Sequence, residues 1–116
     1  MKRILTVLLV LIIAASGVFA GGGQEGDNVI TVGTDATWPP MEFVNEDREL
    51  VGFDIDLMNA IADAAGFEVE FQNTAWDGIF AGLGAGEYDA VISSVTITEE
   101  RQETMDFSMP YINAGQ

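Results

Sequence analysis

Phe53-Asp54-Ile55-Asp56-Leu57-Met58-Asn59-Ala60-Ile61-Ala62-Asp63-Ala64-Ala65-Gly66-Phe67-Glu68-Val69-Glu70-Phe71 is the stretch on which the fold turns, because its apolar period changes partway along. Phe53, Leu57, Ala60, Ile61, Ala64 and Ala65 recur three and four residues apart, the spacing of one face of a helix. Asp54 and Asp56 fall in the first turn of that helix, where carboxylates meet the positive end of its dipole. Gly66 is placed as the residue just past its end, where a left-handed backbone closes a helix. From Phe67 to Phe71 apolar and acidic residues alternate strictly, which predicts a strand with one buried face.

Reading outward from this helix and strand gives the rest of the order. Val29-Ile30-Thr31-Val32-Gly33 is a short β-branched strand. Trp38-Pro39-Pro40 forbids a regular helix or a central strand after it, since proline lacks a donor and constrains its predecessor. Met41 to Gly52 is expected as a small hairpin, Glu42-Phe43-Val44 and Glu49-Leu50-Val51 flanking the polar turn Asn45-Glu46-Asp47-Arg48. On the other side, Asp77 is placed to cap a second helix through Ala85. That helix is weakened by Gly78, Gly82 and Gly84, each costing up to ~1 kcal/mol relative to Ala. Tyr88-Asp89-Ala90-Val91-Ile92 is a third strand, Thr98 begins a short helix to about Thr104, and Phe107 to Tyr111 is expected along the sheet edge. Strands alternating with helices predict an α/β fold with a largely parallel sheet flanked by helices.

The N-terminus reads as a targeting segment. Lys2 and Arg3 precede the apolar run Ile4 to Ala15, which is short for a membrane span, and Val18-Phe19-Ala20 supplies the small residues of a cleavage site. Residues 1–20 are therefore expected as a cleaved signal peptide, 21–28 as a Gly-rich flexible linker and 29–116 as the folded lobe. The chain has no cysteine, which excludes a lipid-modified N-terminal Cys and any disulfide, so a soluble protein free in the exported compartment is expected.

Charge and missing residue types exclude several function classes. Nineteen acidic residues face four basic ones, and loss of residues 1–20 leaves only Arg48 and Arg101. Such a surface repels nucleic acid and anionic lipid. With neither His nor Cys, nucleophilic catalysis by a Ser-His or Cys-His pair is ruled out, and no compact transition-metal site is indicated. The acid-rich stretches do not form an EF-hand loop, and Gly82-Leu83-Gly84-Ala85-Gly86 lies in or after a helix without the lysine of a phosphate loop. No cofactor is expected.

In an open parallel sheet, ligands collect outside the carboxyl ends of the strands. That rule places Asp35, Trp38, Trp76, Ser93, Ser94 and Thr96 along one rim. Trp38 and Trp76 offer flat apolar faces to sandwich a ligand, or they plug the ends of a small core. Asp35 fixes a cation or stabilises its own turn. Ser93-Ser94-Val95-Thr96 presents hydroxyls and backbone groups ahead of a helix, suited to a carboxylate, or it is simply a turn. Arg101 stands where the capping pattern after Thr98 would favour Glu, in a first turn whose dipole it opposes. A bound anion removes that conflict, and the alternative is pairing with Glu99, Glu100 or Glu103.

At this point the sequence resembles the bacterial extracellular solute-binding proteins for polar amino acids. The likeness is carried by Gly33 to Phe43, Gly52 to Ala62, Trp76-Asp77-Gly78-Ile79, Tyr88-Asp89-Ala90, Ser93 to Arg101 and Met105 to Tyr111, in that order. The resemblance implies the first lobe of a two-lobed clamp of the periplasmic-binding-protein type II fold, closing on a free amino acid and feeding an ABC transporter permease in the inner membrane. It further implies that Arg101 holds the ligand carboxylate with Thr96, that the Ser94 carbonyl receives the ammonium, that Trp38 and Trp76 enclose the side chain, and that Asp35 supports the site. Members carry a second lobe beyond the point where this sequence stops, so a truncated or split product, or a partner chain supplying the other half, is expected. An exported dehydratase with Asp35 or Glu42 as its acid, and a sensor domain, are the alternatives on the same scaffold.

Overall fold

The computed structural model describes residues 28–113. The segment expected as a signal peptide, residues 21–27 of the expected linker and residues 114–116 lie outside the described residues. The first strand, β1 (Val29–Thr34), takes the centre of a three-stranded sheet between β5 (Glu68–Asn73) and β6 (Ala90–Val91), and both pairings are parallel. Its register runs from Val29 opposite Glu68 to Thr34 opposite Asn73, and Val32 and Gly33 face Ala90 and Val91 on the other side. A second, antiparallel sheet is inserted after β1, built from β2 (Thr37–Trp38), β3 (Glu42–Val44) and β4 (Leu50–Val51). The prolines that bar Trp38 from a central strand still allow β2, which pairs on one side only.

Helix α1 spans Phe53–Ala65, as the apolar period predicts, and Gly66 closes it at φ 80°. Its start has no side-chain cap. Phe53 and Asp54 instead donate their backbone N–H groups to the carbonyls of Pro40 and Met41, at 3.1 and 2.9 Å. Gly52 permits that approach: its φ is 133°, and a Cβ there would lie 2.6 Å from the Met41 carbonyl carbon. The buried side of α1 differs from the predicted stripe. Asp54, Ile55 and Ala62 are buried, whereas Phe53 and Ile61 are 46 and 44% exposed. Apolar residues run on both sides of this helix, so periodicity detects the helix without choosing its face. Leu57, Met58 and Ile61 look instead into a broad groove of about 1220 Å³, shared with Phe80, Leu83 and the segment after Thr104.

Helix α2 (Trp76–Ala85) follows β5, and α3 (Glu99–Gln102) follows β6. Asp77 does not cap α2, since the cap position is Ala75 and Asp77 lies inside the first turn. The third strand is two residues long, shorter than Tyr88 to Ile92, because Tyr88 turns inward as a core residue, 3% exposed. Its hydroxyl donates to the Ile79 carbonyl and its ring lies against Gly33 and Gly82. Phe107 to Tyr111 forms no strand, and α3 ends two residues before Thr104. Among the described residues Val32, Ala36, Ile55, Ala62, Ile79, Tyr88 and Ile92 make the core. Among the described residues no helix is long and apolar enough to cross a membrane.

Candidate functional site

Because β1, β5 and β6 are parallel, the loops that leave their carboxyl ends emerge on one edge, and short bonds tie them together. Thr74 donates its N–H to the Thr34 carbonyl at 2.8 Å, and Ile92 donates to Gly33 at 3.0 Å. The Ala36 N–H reaches Asn73 Oδ1 at 3.1 Å. Between these loops lies a cleft of about 340 Å³ lined by Trp38, Met41, Trp76, Ser93, Ser94, Thr96 and Arg101. That volume suits a small organic ligand. Six of the seven candidate site residues, five from the predicted rim together with Arg101, therefore converge on it, and Met41, which nothing in its local sequence marks, joins them.

Asp35 is the exception. It is 7% exposed, beneath the cleft instead of along it. One of its carboxylate oxygens accepts from Thr37 Oγ1 at 2.8 Å, and the other accepts from the backbone N–H of Trp76 at 3.0 Å. Asp35 thus caps α2 from a distance of forty-one residues in sequence, the task the sequence suggested for Asp77. The two serine hydroxyls are likewise engaged within the chain. Ser93 Oγ accepts from the Asp35 N–H at 3.0 Å and donates to Glu42 Oε1 at 2.7 Å, and Ser94 Oγ donates to Asp54 Oδ2 at 2.9 Å. The protons of both hydroxyls are thus committed within the chain.

Arg101 is half-buried at the cleft wall. Thr98 caps α3 through Oγ1, which accepts the Arg101 N–H at 3.2 Å. The Arg101 guanidinium donates to the Thr96 carbonyl at 2.8 Å. It also lies 5.5 Å from the Trp76 ring centre and 5.2 Å from that of Phe80, and those two rings meet edge to face at 5.0 Å. Among the described residues it makes no ion pair with Glu99, Glu100 or Glu103. The dipole conflict foreseen for it does not arise as argued, because α3 is a single turn in which Arg101 is as close to the end as to the start. A planar cation is thus held by a carbonyl and two rings, with donor capacity left over, beside the exposed face of Trp38.

Glu42 and Asp54, the other acids near the cleft, are fully buried and do not line it. Burial, and Asp54 beside it, push the Glu42 carboxyl up from 4.5 to about 8 against the opposing Ser93 hydrogen bond. The sequence places Glu42 in a strand and Asp54 at a helix start, forty and more residues from the serines they meet, so no local signal pairs them. No cluster of three metal-ligating side chains is present among the described residues.

The sequence profile of the bacterial extracellular solute-binding proteins, family 3, matches residues 30–116. A probable histidine-binding protein of Neisseria gonorrhoeae is 39% identical over 89% of this chain and 42% of its own length. The L-cystine-binding protein TcyJ of Escherichia coli K12 is 38% identical over 74% of this chain and 32% of its own. Among solved structures, the arginine-bound form of domain 1 from TmArgBP superposes with a TM-score of 0.73 at 42% identity, covering 76% of this chain and 70% of that one. The chain spans less than half the length of these curated relatives.

Proposed function

The chain belongs to the bacterial extracellular solute-binding proteins, family 3, and from that premise we propose that its cleft is one wall of a binding site for a free polar amino acid. The observation that carries this reading is the Arg101 guanidinium, held without a carboxylate partner among the described residues at the edge of an aromatic cleft. Its fork receives the ligand carboxylate with Thr96, and the Ser94 carbonyl receives the ammonium. Trp38 and Trp76 enclose the side chain, while Asp35 and Ser93 support the wall from beneath. A planar guanidinium suits a carboxylate because both oxygens are held at once. The whole protein, exported through residues 1–20, then delivers its cargo to an ABC transporter permease.

Histidine, cystine and arginine appear in the names of similar proteins, and the domain 1 structure bound to arginine supports binding by a single lobe. Calorimetric titration of the chain with L-arginine, L-histidine and L-cystine is expected to show saturable one-to-one binding for at least one of them. A single wall leaves part of the ligand in water, so a modest affinity is expected. Absence of binding to every member of a full amino-acid panel by the folded chain overturns the reading. For export, mass spectrometry of the protein recovered from the periplasm is expected to find Gly21 as the first residue, and retention of Met1 argues against it.

A further inference from the structure

Directly beneath the cleft, two carboxyls from different sheets and helices are sealed from solvent together. Glu42 on β3 and Asp54 in the first turn of α1 are each 0% exposed. Each gives one oxygen to a cleft serine, Glu42 Oε1 to Ser93 at 2.7 Å and Asp54 Oδ2 to Ser94 at 2.9 Å. The remaining oxygens, Glu42 Oε2 and Asp54 Oδ1, are buried without a donor among the described residues. Buried carboxylate oxygens demand donors, and like charges without a cation cannot both ionise in the interior. One proton between the two groups satisfies both demands.

We propose that Glu42 and Asp54 share one proton, and that the pair acts through the Ser93 and Ser94 hydroxyls to hold the cleft floor in the shape that receives the ligand. The ligand part rests on the amino-acid-binding reading above. Ser94 shows why the floor needs external ties: its φ is 48°, a left-handed backbone that a residue with a Cβ adopts at a cost. From the Asp35 N–H through Ser93 Oγ to Glu42, and from Ser94 Oγ to Asp54, each turn of this segment ends on the pair. The other groups facing it agree on where the proton sits. Asp35, in the loop after β1, adds negative charge that favours a protonated Glu42, whose carboxyl stands at about 8. Tyr111, from the segment after α3, faces Asp54 and Ser94, and burial together with the Asp54 charge keeps its phenol neutral. Glu42 and Asp54 are positioning residues, for neither reaches the cleft.

The test follows Glu42 itself by carboxyl-carbon NMR in the full chain, alongside the amides of Ser93 and Ser94. One glutamate carboxyl is expected to remain protonated at neutral pH and to titrate near 8, with the two serine amides moving on the same curve. Glu42→Gln removes that signal and that movement, because a neutral amide donates to Asp54 and still accepts from Ser93 without titrating. In Asp54→Asn, Glu42 is expected to titrate well below its parent value. L-Arginine affinity measured below and above that point is expected to fall by roughly tenfold more in the parent than in Glu42→Gln. Titration of every glutamate in the ordinary carboxylate range overturns the shared proton. Serine amides blind to Glu42, or an equal loss of arginine affinity in both proteins, overturn the positioning role. A chain that binds no amino acid at either pH defeats the binding reading alone, since the serine amides still decide the coupling.

Discussion

At the scale of single residues, Arg101 separates a ligand role from a structural one. Among the described residues its guanidinium makes one bond to a carbonyl and two ring contacts, all at a partly open surface. Cation–ring contacts of that kind are worth about 0.5 to 1 kcal/mol each. Arg101→Ala is therefore expected to lower stability by no more than ~1 to 2 kcal/mol. A ligand carboxylate stripped of its partner loses more, about 2 to 5 kcal/mol of binding. Arg101→Lys keeps the charge but not the fork, and is expected to fall between parent and Ala in affinity. Calorimetry and thermal melts on the three proteins measure the two effects separately. If Arg101→Ala binds its amino acid normally but melts far below the parent, Arg101 is a packing residue.

At the scale of elements, α2 shows how one helix keeps three glycines for different reasons. Gly78 and Gly84 look onto open space, so Ala at either is expected to raise stability by up to ~1 kcal/mol through helix propensity. Gly82 lies against the buried Tyr88 ring, and a Cβ there would stand 2.8 Å from Tyr88 Cζ. Gly82→Ala is expected to destabilise by about 1 to 3 kcal/mol, because the Tyr88 hydroxyl is bonded to the Ile79 carbonyl and its ring cannot withdraw freely. Urea denaturation of the three variants should give opposite signs. Ala at position 82 that stabilises the chain as much as at 78 or 84 would show that Tyr88 yields at little cost.

At the scale of the whole molecule, the buried acid beneath the cleft sets a direction for stability against pH. Glu42 holds its proton in the folded chain up to about 8 and releases it near 4.5 when unfolded. Between those values the folded state binds more protons, so stability falls as pH rises and the contribution is fully lost above about 8. Glu42→Gln lacks this component. Denaturation across that window is therefore expected to show the parent losing stability relative to the variant with rising pH. A parent that gains relative to the variant would show Glu42 ionised in the folded state.

The helix over 53–65, its glycine terminus, the strand after it, the hairpin and the parallel order of the sheet are all written in local pattern, because period, turn chemistry and proline act within a few residues. Trp38, Trp76, Ser93, Ser94 and Thr96 are likewise placed at the cleft by the sequence, since parallel strands bring their carboxyl ends to one edge, whereas Arg101 stands out by its position after the Thr98 cap and by the family resemblance. What only the tertiary structure decided depends on partners far apart in the chain. It turned Asp35 from the rim to the cap of α2, chose Asp54, Ile55 and Ala62 as the buried side of α1, and spent both serine hydroxyls on Glu42 and Asp54. A carboxyl in a strand and another at a helix start look solvated in sequence. Burial against one another, which no local rule encodes, makes them a proton-sharing candidate.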